Sequence, residues 1–168
     1  MGTAAIKALL DFESSFTSVR KTVDATEAEF SALASASKSM STQIAASTTE
    51  INEVMATAGQ LGIANDYLVD FTRTMIDLGN STDIVANDAA STLAKFANIT
   101  TMDQSQFGNL GATLVDLGNN FATVESDIMN MSLRLAAAGH QVGLTEPQIL
   151  GFAAALSSVG VRAEMGGS

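Results

Sequence analysis

One histidine, His140, and two pairs of acids at helical spacing, Asp66/Asp70 and Glu50/Glu53, are the residues of this 168-residue chain whose types could support catalysis. A histidine base needs a group within hydrogen-bond reach, and paired carboxylates do acid–base work when burial drives their pKa values apart. His140 follows Gly139 at a predicted helix end, where an imidazole complements the helix C-terminus without doing chemistry. Both acid pairs fall near predicted helix N-termini, where negative charge is favoured anyway. The segment from Asp83 to Asp88 lacks the alternating oxygen ligands and central glycine of a calcium loop. Gly108-Asn-Leu-Gly111 has no strand before it and no lysine–serine tail, so it is no phosphate loop. Cysteine is absent, which excludes disulfides and thiolate metal sites. No catalytic, cofactor-binding or metal-ligating residue is therefore assigned, no cofactor is expected, and the chain reads as a non-enzyme.

The elements that would position any site read as helices throughout. Apolar residues make up 46% of the chain but aromatics only 5%, and there is one proline. Such a chain forms helices easily, with a core thin in large side chains. The net charge is −10. Four of the basic residues, Lys7, Arg20, Lys21 and Lys38, lie near the start, and the acidic remainder would be repelled by phosphate backbones. Nucleic-acid binding is thereby disfavoured. The longest apolar runs, such as Phe152 to Leu156, fall far short of the roughly 18 residues of a membrane span. The start lacks the basic and apolar regions of a signal peptide.

The first sixty residues carry a heptad seam. Ala5, Leu9, Phe12, Phe16, Val19, Val23, Thr26 and Phe30 alternate by four and three. The pattern runs on through Leu33, Ser37, Met40, Ile44, Ser47, Ile51, Val54 and Ala58 to Leu61. One unbroken helix would span roughly 85 Å. Ser47-Thr-Thr-Glu50 matches a capping box, and Thr26-Glu-Ala-Glu29 matches it more weakly. Helices over about 4–24 and 26–44, with a break near Ala46, are the favoured reading; the rival is a single helix to Gly59. Residues 1–46 are thus read as a coiled-coil-like arm.

Residues 47–165 read as a compact body of short, hairpin-stacked helices. The first, over 48–60, stops near Gly59 and Gly62. Asp66 is expected to cap the next, with Leu68, Phe71, Thr72 and Met75 inward, closed by Gly79-Asn80. Asp83 opens another with Val85, Ala89, Leu93 and Phe96 inward, and Asp103 one with Phe107, Leu110, Leu114 and Leu117 aligned. Thr123 begins a helix with Ile128, Met131, Leu135 and Ala138 aligned, ending at Gly139. Thr145 and Pro147 open the last, with Ile149, Phe152, Ala153 and Leu156 inward, to Gly160. No segment shows the period of a strand. Gly108, Gly111 and Gly151 fall inside helices and predict close helix approach, while Met40, Met55, Met75, Met129 and Met131 mostly follow core faces. Thr74-Met-Ile-Asp-Leu-Gly-Asn80 echoes Thr113-Leu-Val-Asp-Leu-Gly-Asn119, and at the same offset Val85 meets Val124, Asp88 meets Asp127, and Lys95 meets Arg134. That offset suits a helix hairpin of a solenoid, though two copies leave open convergent use of one helix-stop sequence.

Several pieces in order carry a family resemblance. They are Gly59-Gln-Leu-Gly62, Asp77-Leu-Gly79, Asp116-Leu-Gly-Asn-Asn120, Glu125-Ser-Asp-Ile128, Gly143-Leu-Thr-Glu146 and Ala153-Ala-Ala-Leu-Ser-Ser-Val-Gly160, followed by Glu164 and Gly166-Gly167. Together, over about 47–168, the chain resembles the helical domain of phage tail tape-measure proteins, the phage-related minor tail proteins. The resemblance implies a structural component of a phage or prophage tail, in the virion and, during assembly, in the bacterial cytoplasm. It implies tail-tube and tail-assembly chaperone proteins as partners and no catalytic residue. The arm's seam adds self-association. A chain of 168 residues cannot measure a tail, so Gly166-Gly167-Ser168 reads as a truncated linker at the edge of a fragment. The reading that competes is a helical protein-binding or scaffold module of a bacterial host protein, without catalytic activity.

Overall fold

A computed structural model of the chain describes residues 3–163, and the expected linker at 166–168 lies outside them. The fold is all-α. The described residues form α1 (Thr3–Thr22), α2 (Glu27–Gln43), α3 (Thr48–Gln60), α4 (Asn65–Ser81), α5 (Ala86–Thr100), α6 (Phe107–Asn120), α7 (Glu125–Gln141) and α8 (Glu146–Ser158). A short 3-10 turn, Gln104–Gln106, leads into α6.

The helices stack in two layers, joined most closely at α3–α4, α4–α5 and α7–α8. α1, α3, α5 and α7 pack each on the next in one layer, and α2, α4, α6 and α8 do the same in the other. This is the arrangement of a helical solenoid, where each unit buries its apolar face against its neighbours. The sequence echo is therefore structural: Val85 and Val124 are both N-cap residues, and Asp88 and Asp127 both sit in the first turn of the helix that follows. One continuous core runs through the stack, with Val19, Ile51, Met55, Leu68, Phe71, Met75, Leu93, Phe96, Leu114, Ile128 and Ile149 buried. Full burial of side chains this size is worth about 1.5–3 kcal/mol each. Phe71 meets Phe107 edge to face at 4.5 Å, tying α4 to α6.

The heptad seam folds back on itself instead of forming one rod. Thr26 makes a complete capping box: its N–H donates to Glu29 Oε2 at 2.7 Å, and its Oγ1 accepts from Glu29 N–H at 3.3 Å. Ser47 makes half of one, its Oγ accepting from Glu50 N–H at 3.2 Å. The stronger sequence match is thus the weaker cap. Phe12, Phe16, Val19 and Val23 then meet Phe30, Leu33, Ile51, Val54 and Ala58 within one chain. Ser37, polar in the seam, donates to Asn52 Oδ1 at 2.6 Å, and Asn52 Nδ2 donates to Ser15 Oγ at 2.9 Å. Asn52 is fully buried, so this bridge ties α1, α2 and α3 in one register.

The helix ends correct several expectations. Four helices finish on a residue in the left-handed region: Gly62 (φ +86°), Thr101 (φ 54°), Gly143 (φ +82°) and Gly160 (φ +84°). In each case the next residue donates back to the helix: Ile63 to Ala58, Met102 to Ala97, Leu144 to Gly139 and Val161 to Leu156, at 2.9–3.1 Å. These are Schellman-type ends closed by an apolar residue. Gly59, Gly79 and Gly139, expected as stops, lie inside final turns where another element comes close. A Cβ on Gly59 would sit 2.5 Å from Val23 Cγ2, and one on Gly79 3.0 Å from Ala86 Cβ. Of the three glycines expected at close approaches, only Gly111 is at one, 3.1 Å from Thr74 Cγ2, whereas Gly108 and Gly151 face open space. All five methionines of the core faces are buried.

Candidate assembly surfaces

The residues considered for chemistry are spread over the surface. His140 is exposed in the last turn of α7, Glu50 and Glu53 are exposed on α3, and Asp66 and Asp70 are exposed on α4. Asp66 lies in the first turn of α4, whose N-cap is Ala64. Asp83 does not open α5, whose N-cap is Val85; it caps α7, accepting from Ser126 N–H at 3.0 Å and from the Ser126 hydroxyl. Thr123 likewise lies just outside α7 and pairs its hydroxyl with that of Ser157 at 2.5 Å. Among the described residues no group of three His, Asp or Glu side chains comes together in a way that could hold a metal ion.

Charge pairing concentrates at the junction of α1 and α2. Arg20 donates twice to the Glu27 carboxylate, at 2.8 and 3.0 Å, and stacks over the Phe30 ring at 4.7 Å. The hydrogen bond to Arg20 holds the Glu27 carboxyl below its ordinary 4.5 and raises the guanidinium in turn. The backbone N–H of Thr26 lowers Glu29, and Ser105 lowers Asp103. Each of these groups is in solvent, so they mark caps and a surface bridge.

What distinguishes the surface is apolar exposure at the two ends of the stack. α1 and α3 run parallel, with Ser15 beside Asn52 and Thr22–Val23 beside Gly59. At that register the first residue of α3, Thr48, lies level with Asp11, so Thr3–Leu10 extend past α3. Every residue of that overhang is exposed, including Ile6, Leu9 and Leu10 at 50–63%. The heptad spacing of Ala5 and Leu9 marked the seam; only the length mismatch between α1 and α3 leaves these two without cover.

At the other end, α7 and α8 enclose an open groove of about 290 Å³ lined by Leu135, Ala138, Gly139, Val142, Leu144, Ile149 and Phe152. Phe152, expected inward, is 59% exposed on its rim, and Val142 is 75% exposed. Val85, also expected inward, is 65% exposed because it caps α5 from outside the helix. No described helix is long and apolar enough to cross a membrane.

Comparison with known proteins gives two matches. The family profile described as phage-related minor tail protein matches residues 34–168. A probable tape measure protein of Halomonas phage phiHAP-1 is 26% identical over 178 aligned positions, which cover 98% of this chain and 21% of the relative. The chain thus spans about a fifth of the length of the curated relative it matches. No solved structure matches it.

Proposed function

Because the chain belongs to the phage-related minor tail protein family, whose profile covers residues 34–168, we propose that it is a segment of a tape-measure protein, the tail component that sets tail length and templates tube assembly. The observation that carries this reading is the family match, joined by the alignment of nearly the whole chain to a relative about five times as long. A phage tail family places its members in the virion tail; the bacterial cytoplasm is the proposed compartment of assembly. No catalytic step is assigned to this chain. Residues 47–165 act as the body and 1–46 as the arm, which lies in the same layered stack and presents its free turns for self-association. Tail-tube subunits and tail-assembly chaperones are the further partners.

Tail length tests the ruler role. An in-frame duplication of α5 and α6 in the parent chain should lengthen tails by about 50 Å if that segment is measured as extended helix. Virions with unchanged tails would sink the length-setting role, and purified tails lacking peptides of this chain would sink the structural reading altogether.

A further inference from the structure

We infer that the α7–α8 groove seats a further helix–turn–helix of the parent chain, one that follows residue 168 and packs there as α5 and α6 pack on α3 and α4; this rests on the segment reading proposed above. The groove repeats a face that is already covered inside the stack. Leu61 and Val142 end α3 and α7 with nearly the same backbone angles (φ −93°, ψ 5° and φ −91°, ψ 6°), and Gly62 and Gly143 follow at φ +86° and +82°. Ile63 donates back to Ala58 as Leu144 donates to Gly139. Measured along the chain from these turns, Val54, Leu68 and Phe71 stand at the same distances as Leu135, Ile149 and Phe152. The apolar lining of the groove is thus the α3–α4 face over again.

The two faces differ in what lies over them. Phe71 is 1% exposed beneath Phe107 of α6, the ring that meets it edge to face, whereas Phe152 is 59% exposed. The α3–α4 turn is also held by the elements that follow it. Asn98 Nδ2 donates to the Leu61 carbonyl at 3.0 Å, and Gln104 Nε2 donates to the Gly62 carbonyl at 3.1 Å while its Oε1 accepts from Ala64 N–H at 2.8 Å.

Continuity with that interface names the occupant. Asn98, Gln104 and Phe107 are engaged within their own stack, so a second folded copy does not offer them. The Halomonas phage relative aligns with nearly all of this chain and is about five times as long, which leaves room for further units of a solenoid, each burying its apolar face on the next. Phe107 follows Phe71 by 36 residues. A large apolar partner for Phe152 is therefore expected at about the same distance beyond it, preceded by amide side chains that reach the Val142 and Gly143 carbonyls.

Thiol labelling tests the seat, because the chain has no cysteine of its own. Phe152→Cys, and Ala112→Cys on the exposed side of α6 as a control, are made both in the 168-residue chain and in the parent chain. The Phe152→Cys thiol should react at least about tenfold more slowly in the parent, with the control unchanged. Amide exchange of the two unsubstituted proteins gives a second reading, and residues 135–152 should exchange more slowly in the parent. Equal labelling and equal exchange in both proteins would overturn the inference, and the chain's presence in purified tails would still uphold the segment reading. Protection that arises in the 168-residue chain alone as its concentration rises would make a second copy the occupant and overturn it too.

Discussion

Forty-three residues separate Asp83 from Ser126, yet the Asp83 carboxylate accepts both the backbone N–H and the hydroxyl of Ser126 at the start of α7. The N-cap of α7 is Val124, whose side chain has no oxygen to offer. The loop after α4 thus supplies by tertiary contact the acceptor that the local sequence lacks. Replacing Asp83 with alanine should destabilise the fold by about 1 kcal/mol, the usual worth of a side-chain cap. Amide exchange should quicken at Ser126 to Ile128 ahead of the rest of the core. Uniform exchange along α7 would refute the capping role.

That contact also shows which features were legible in the sequence. Caps that reach three residues forward, at Thr26, Ser47 and Thr145, were readable because their partners are fixed by local geometry. The partner of Asp83 was not, since it depends on the stacking of separate hairpins. Helical periodicity placed Phe71, Met75, Leu93, Phe96 and Ile128 in the core correctly. It failed at Phe152 because α8 belongs to the last hairpin, and no further helix covers that face among the described residues. The overhang of α1 was hidden for a related reason: a seam position needs an opposite partner, and α3 begins too late to supply one to Leu9.

Glycine positions give opposed predictions. Gly59→Ala would place a Cβ against Val23 Cγ2 and 3.1 Å from the Thr22 carbonyl oxygen, which is backbone and cannot step aside. Forcing α1 and α3 apart should cost about 1–3 kcal/mol. Gly108→Ala meets nothing within 4 Å in the first turn of α6 and should stabilise by up to about 1 kcal/mol. Urea melts of both variants would check the pair, and a stabilising Gly59→Ala would contradict the parallel packing of α1 on α3.

Thr101 is the lone non-glycine with positive φ among the described residues. A β-branched side chain is strained there, while Gly62, Gly143 and Gly160 hold the matching turns without strain. Thr101→Gly should therefore raise stability by about 1 kcal/mol. An unchanged or lowered melting temperature would mean that the Thr101 hydroxyl, which donates to the Thr100 carbonyl at 2.7 Å, offsets the strain.

The Ser37–Asn52–Ser15 bridge predicts a non-additive pair. Ser37→Ala strands the buried Asn52 Oδ1, which should cost about 1–3 kcal/mol. Asn52→Leu, made in the background of Ser37→Ala, removes the stranded group and should recover part of that loss. A double-mutant cycle by chemical denaturation measures the coupling. Strict additivity would mean that the hydrogen bond does not hold the three helices in register.

Glu29 makes the turn between α1 and α2 sensitive to acid. Its carboxylate accepts from the Thr26 N–H and hydroxyl, which lowers its pKa from the ordinary 4.5. A group whose folded pKa is depressed contributes stability that is fully present above the unfolded value and is lost as pH falls through the folded one. The contribution should therefore be constant from neutral pH down to about 4.5 and decline below it. Glu29→Gln keeps an acceptor for the capping box but cannot titrate there. Thermal melts of the two proteins should differ by a fixed interval above pH 4.5, with the interval narrowing below it. An interval that stays constant down to pH values near 3 would show that the capping bond does not depend on the carboxylate charge.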